Sequence, residues 1–297
     1  MNTLMRRSIL SFCLALSLVI IAILVFDFLH PPVPSLAYPI ERQIKYAFTL
    51  QNRTNRPIDN VEFRIPAPLL RTSTQRRFYV ETTHAYLLDG DSSGNQTLCF
   101  NFPTFPPFAS KIIAIKAGLR VSARPNQSKV PDVDSYLKSE KHMESDDPDI
   151  RRLALKLKAP KKEKTSENIF KWITENIRYA GYLRNTRGAR YALVHKQGDC
   201  TEFACLFVAL CRANDIPARC MGGYICRRNT VLNPSDYHNW AEFHLNGAWR
   251  LADPQNRIFM KNHEDYIAMR IIHESKDREN SFHRFWFRGT GLKVRMN

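Results

Sequence analysis

The 297-residue sequence predicts an α+β architecture in two folded parts: a small antiparallel β-sandwich module over residues 36–125, then a larger α+β domain over residues 133–297. Three observations predict it. Short alternating stretches separated by turn residues fill the first part. Helical periodicity sets in from Asp147 and returns twice before residue 211. Two alternating strands joined by Asn246-Gly247 follow the last helix. Apolar residues at 44% and aromatics at 11% are enough to build a sizeable core.

Residues 1–30 read as a membrane anchor. Met5-Arg6-Arg7 begins it, and residues 9–26 are predominantly apolar, without charge or proline. That run is near the lower limit of about 20 residues for crossing a bilayer and longer than the ~7–15 residues of a cleaved signal core. The basic start, with Asp27 and His30 beyond the run, predicts an inside start and an extracytoplasmic remainder. The alternative is secretion after cleavage near Ser35-Leu36-Ala37. Cys13 follows Phe12 within the run, which excludes a lipid-attachment reading.

Pro31-Pro32-Val33-Pro34 reads as a stiff spacer. The sandwich strands are then expected at 44–50, at Val61, Phe63 and Ile65, at 77–88, and at 111–121 with Ile113 and Ile115 inward. A linker covers 123–130. Asp146-Asp147-Pro148 marks a helix start. A second helix starts at Thr165-Ser166-Glu167 and carries the apolar stripe Ile169, Phe170, Ile173, Ile177. The tail closes with a hairpin around Gly289-Thr290-Gly291.

Charge and cysteines exclude several classes. There are 44 Lys and Arg against 28 Asp and Glu, a formal charge of +16. The basic residues are scattered and no nucleic-acid-reading module is present, so no nucleic-acid partner is expected. Seven cysteines follow no disulfide framework. Cys205 and Cys211 share one predicted helix at about 9 Å, too far to bridge. No CxxC or HExxH pattern appears, and neither a metal nor another cofactor is expected.

The chemistry concentrates between Gln197 and Asp253. Gly198-Asp199-Cys200 ends a loop, and Phe203, Leu206, Phe207 and Leu210 then recur at helical spacing until Asn214-Asp215-Ile216-Pro217 stops the helix. Cys200 therefore starts a buried helix, where unpaired N–H groups and the positive dipole end favour thiolate over thiol and can face an oxyanion. Residues 237–243 alternate as a strand with His238, Trp240 and Glu242 on one face, and the Asn246-Gly247 turn returns the chain through 248–253. His238 and Asp253 then lie near the open ends of neighbouring strands, where a carboxylate can hold an imidazole in one tautomer.

Trp172-Ile173-Thr174-Glu175-Asn176-Ile177-Arg178-Tyr179, Gly198-Asp199-Cys200, Ile216-Pro217-Ala218-Arg219 with Gly222-Gly223-Tyr224, His238-Asn239-Trp240-Ala241-Glu242, and Trp249 with Asp253-Pro254 occur in this order. Together, over residues 136–259, they resemble the transglutaminase-like superfamily, a papain-like Cys-His-Asp fold, in its membrane-anchored prokaryotic form. The upstream module, with Asn52 and Pro57-Ile58, resembles its accessory domains less specifically. The resemblance implies Cys200 as nucleophile, His238 as base and Asp253 as orienting carboxylate. It leaves the second oxyanion donor among Gln197, Tyr179 and Trp240. It implies thiol-dependent acyl transfer or hydrolysis at amide bonds of peptides or proteins; the extracytoplasmic position and basic surface point to cell-wall peptides or surface proteins as substrates. The alternative expectation is a catalytically silent binding or scaffold module at the cell envelope.

Overall fold

The computed structural model describes residues 37–128, 130, 132–273 and 282–297. The expected anchor at residues 1–30 lies outside these. Among the described residues, no helix is long and apolar enough to cross a membrane.

The strands of the first part are β1 (Ile40–Asn52), β2 (Ile58–Pro66), β3 (Gln75–Thr82), β4 (Leu87–Gly90), β5 (Gln96–Phe105) and β6 (Ser110–Val121). Alternating inward positions on the longer strands make them a sandwich. Ile44, Tyr46, Phe48 and Leu50 of β1 are buried, as are Val61, Phe63 and Ile65 of β2 and Ile113, Ile115, Ala117 and Leu119 of β6. β1, β6 and β3 lie side by side in one sheet, and β2, β5 and β4 in the other. Phe48 meets Phe63 between them at 5.1 Å. The expected single strand at 77–88 is thus two strands in different sheets. The buried Asn52 organises the turn after β1, donating to the carbonyls of Arg56 at 2.7 Å and Pro106 at 2.9 Å.

The second part follows. Helix α1 (Pro148–Leu157) starts as expected, with the Asp147 side chain accepting from the N–H groups of Asp149 and Ile150. Helix α2 (Lys162–Asn176) begins three residues before the expected Thr165. The Thr165 and Ser166 hydroxyls bond back to the Lys161 and Lys162 carbonyls, so these residues sit inside the helix instead of capping it. Strand β7 (Arg178–Tyr179), helix α3 (Gly188–His195), β8 (Gln197–Gly198) and helix α4 (Cys200–Arg212) come next. Every residue of α4 from Thr201 to Arg212 is buried, which makes it the central helix of its layer. Beyond it run β9 (Ala218–Ile225), β10 (Thr230–Val231), β11 (Tyr237–Leu245), β12 (Ala248–Asp253), β13 (Ile258–Phe259) and β14 (Tyr266–Ile272). Strands 13, 12, 11, 9 and 14 form one sheet in that order, and α4 packs on it, Phe207 meeting Phe243 at 5.6 Å.

Pairing crosses the sequence interval between the two expected parts. β10 joins β1 in parallel. The tail strands β15 (Trp286–Arg288) and β16 (Leu292–Met296) do not form the expected hairpin with each other: β15 pairs with β2 and β16 with β1. Gly289 and Gly291, at φ 149° and 88°, carry the chain from one sandwich sheet to the other. Phe285 enters between the sheets, 5.2 Å from Phe48 and 6.0 Å from Phe63. Two buried amides of the sandwich cover edge strand β14: Gln75 bonds both backbone groups of Ala268, and Asn95 both of Ile271. These bonds occupy backbone groups that an open edge would expose.

Candidate active site

Cys200 is the first residue of α4. Asp199 caps the helix by accepting from Thr201 N–H at 2.8 Å, and Glu202 returns to accept from Asp199 N–H at 3.1 Å, a reciprocal capping box. Gly198 must be glycine because an added Cβ would lie 2.3 Å from the Cβ of Glu202. Glu202 also accepts from Arg187 N–H at 2.9 Å. Burial outweighs that bond and, with the neighbouring Asp199 charge, pushes its carboxyl up to about 7. The loop before Cys200 is therefore held from three sides, while the Cys200 side chain remains half-buried. The other described cysteines are buried; burial raises Cys205, Cys211 and Cys226 well above the ordinary thiol range.

His238 is on β11 opposite Gly223 of β9. A Cβ at Gly223 would lie 2.1 Å from the Ile267 carbonyl oxygen, so the strands approach closely only with glycine there. The Asn246-Gly247 turn has φ 51° and 77°, the two positive values of a tight hairpin. It returns β12 so that Asp253 Oδ2 lies 2.7 Å from His238 Nε2. Burial alone would lower the His238 pKa, but hydrogen bonds to Asp253 and Cys200 and their charges raise it to about 10. Burial likewise opposes ionisation of Asp253, yet its bonds to His238, Tyr266 and Asn256 keep its pKa below the usual carboxylate value. With Nε2 committed to Asp253, Nδ1 is the nitrogen left for the sulfur.

Cys200, His238 and Asp253 thus come together. Of the three expected oxyanion donors, Tyr179 joins them, and Gln197 and Trp240 do not. Tyr179 lines the cleft beside Cys200, brought there by pairing of β7 with β8. Burial and the Cys200 and Asp199 charges raise its hydroxyl pKa, so it stays a donor. Gln197 is turned away, its amide accepting from Arg178 at 2.6 Å and donating to Tyr191 at 3.2 Å. Trp240 is 1% exposed and packs beside the His238 ring, 6.4 Å between centroids.

Sequence reasoning missed two holders of the carboxylate. Tyr266 donates to Asp253 Oδ2 at 2.7 Å, and Asn256 donates to the same oxygen at 2.8 Å. Asn256 had a local signal: Asp253-Pro254-Gln255-Asn256 is an Asx-type turn, with Asn256 N–H on Asp253 Oδ1 at 3.2 Å. Tyr266 comes from β14, two strands away from β11, and had none. Also missed was a tie between α4 and β11, Asn239 donating to the Thr201 hydroxyl at 2.9 Å.

The site opens into a cleft of about 650 Å3 bordered by the exposed rings of Tyr179 and Tyr182. A helix-start cysteine, an imidazole and a buried carboxylate at the base of a cleft have the order needed for thiol nucleophilic chemistry. Residues 151–254, which hold all three, match the core model of the transglutaminase-like superfamily. The chain contains a transglutaminase-like domain. No curated sequence matches the chain. Among solved structures, a Cytophaga hutchinsonii protein described as a candidate cysteine protease aligns with a TM-score of 0.58 at 19% identity, over 87% of this chain and 92% of its own. The periplasmic domain of TgpA from Pseudomonas aeruginosa aligns with a TM-score of 0.40 at 15% identity, over 71% of this chain and 88% of its own. At 19% identity the likeness to the Cytophaga hutchinsonii protein concerns the fold. The transglutaminase-like domain here shares its sheet edge and part of its core with the sandwich, since Tyr224, Ile267 and Met269 pack into the same apolar cluster as Phe48 and Phe63.

Proposed function

We propose that the protein is a cysteine-nucleophile enzyme that cleaves or exchanges amide bonds of peptides or proteins. One observation carries the proposal: the His238 imidazole spans from buried Asp253 to the half-exposed Cys200 sulfur at the floor of the cleft. In this mechanism His238 takes the Cys200 proton, and the sulfur adds to the amide carbonyl carbon. The backbone N–H of Cys200, the first of the helix, has no intrahelical acceptor and faces the developing oxyanion with the Tyr179 hydroxyl. The C–N bond breaks as imidazolium returns the proton to the departing nitrogen. Water or an amine then attacks the thioester, giving its proton to His238, and the thiol is restored. The exposed rim favours water as acceptor, hence hydrolysis, because acyl transfer needs a site that excludes it. The pattern of residues 1–30 supports a location outside the cytoplasm, held by an anchor, with wall peptides or surface proteins as substrates.

Iodoacetamide labelling at pH 6, mapped by mass spectrometry, tests the nucleophile. Cys200 is expected to react at least about tenfold faster than the buried cysteines, because thiolate fraction and access both set the rate. His238→Ala is expected to abolish that lead. Equal labelling of Cys200 in both proteins would sink the proposal and leave a silent fold.

A further inference from the structure

One cation in the cleft plays no part in this chemistry. Arg284 comes from the tail, beyond β14, and lines the same cleft as Cys200 and His238. One guanidinium nitrogen donates to the Pro234 carbonyl, and the group lies 4.9 Å from the Tyr237 ring centroid. Tyr237 lines the cleft together with Arg284 and Cys200. No carboxylate among the described residues forms an ion pair with Arg284. The two acidic residues of the cleft are engaged elsewhere. Asp199 accepts from Thr201 and Leu183 N–H groups, and Asp236 accepts from the Ser235 hydroxyl at 3.2 Å.

A guanidinium has five N–H donors in a planar fork that matches a carboxylate. Arg284 spends one of them on Pro234, and the remainder border space in which a substrate must lie. Stacking against Tyr237 and the carbonyl bond hold the fork in place, which reduces the entropy lost when an anion binds. A guanidinium held in this way, with no carboxylate partner among the described residues, fits a group reserved for an external anion.

We propose that Arg284 is a specificity-determining residue that receives a carboxylate of the substrate, so that the preferred substrates are acidic peptides carrying a side-chain or terminal carboxylate close to the reacting amide. This rests on the reading of Cys200 as the nucleophile, and it deepens that reading by naming the substrate class. The adjoining groove, which shares Ile225 and Asp236 with the cleft, carries Arg227 and Arg228 and continues the positive surface.

Two thiol probes of the same shape test it in the full chain: 3-maleimidopropionic acid and its primary amide, which differ only in the distal charge. The rate of Cys200 modification by the acid over that by the amide reads the anion site without any turnover. In the unaltered protein the ratio is expected to be about five or more, the scale of a partly exposed ion pair. It is expected to fall to about one in Arg284→Gln, to stay intermediate in Arg284→Lys, and to weaken with added salt. Arg152→Gln, which removes one exposed charge of α1 that does not line the cleft, controls for the +16 formal charge and is expected to leave the ratio high. A ratio near one in the unaltered protein, or one that survives Arg284→Gln, overturns the carboxylate site. Failure of the neutral amide to select Cys200 over the buried cysteines overturns the nucleophile instead, and the ratio at Cys200 still decides the role of Arg284.

Discussion

Two buried imidazoles of this protein bond to carboxylates at opposite ends of the same helix. At the N-terminal end of α4, His238 lies 2.7 Å from Asp253 and its other nitrogen turns to Cys200 and the cleft. At the C-terminal end, His273 lies 3.3 Å from Glu140, and its Nε2 is buried without a hydrogen-bond partner among the described residues. Glu140 also accepts from Arg212 at 2.8 Å, and Arg212 further donates to the carbonyls of Lys138 and Ala218. Burial would raise the Glu140 carboxyl, yet His273 and Arg212 hold it down to about 2. The chemical groups are nearly the same and the consequences differ. The sealed cluster ties the loop around Lys138 to the helix, where the cost of taking charges out of water is met only while every member is present. The other pair leaves one nitrogen facing a reactive atom that solvent can reach. What distinguishes the pair proposed to react from the sealed one is the direction of the last free valence, not burial or pairing.

Asp253→Asn breaks the comparison at its more reactive end and carries the largest expected effect. Turnover is expected to fall about 10^4-fold, as when a triad's orienting carboxylate is neutralised. The His238 pKa is expected to drop from about 10 toward its ordinary 6.5, read by NMR titration of the ring. Because the folded value lies above the unfolded one, the stabilisation from this pair is complete below pH 6.5 and is lost as pH rises through about 10. The Asn variant is expected to show little of that loss. A variant that keeps the high pKa would separate the two sites less sharply than the geometry does.

Glu140→Ala attacks the sealed end. It leaves Arg212, whose side chain has no exposed surface, as an unpaired buried charge, and is expected to cost about 3–5 kcal/mol in urea unfolding. Cys200 labelling in the folded protein is expected to persist, since the cluster lies at the far end of α4. Loss of selective labelling would show that the two ends are coupled.

Tyr266→Phe is the mildest test. It removes one of the donors to Asp253 Oδ2 and leaves His238 and Asn256 in place. The expected loss is about 1 kcal/mol, or roughly fivefold in turnover, measured as the initial rate on a peptide substrate. No change would mean that Asn256 alone keeps the carboxylate oriented.

The legible parts of this molecule are those carried by neighbours in sequence. Asp147-Pro148, the inward positions of β1 and β6, the Asn246-Gly247 turn and Cys200 behind Gly198-Asp199 are all stated by residues within a few positions of one another, and the structure has each of them where the sequence put it. The start of α2 was misplaced because Thr165 and Ser166 can either cap a helix or bond back inside one, and local chemistry does not separate the two. Gln197 is one of the oxyanion donors that the family resemblance leaves open. Its side chain instead follows Arg178 and Tyr191, a choice made when β7 pairs with β8.

The sequence by itself determined the starts of α1 and α4, the β11–β12 hairpin, inward positions of the long sandwich strands, and the Cys, His and Asp that come to one place. Turn propensity, capping and alternation act over short distances and compete with little else. Tertiary structure alone decided that the tail strands separate to different sheets, that Tyr266 holds Asp253, and that Arg284 enters the cleft. Each depends on segments distant along the chain meeting across sheets, so the contact exists only after the core between them has packed.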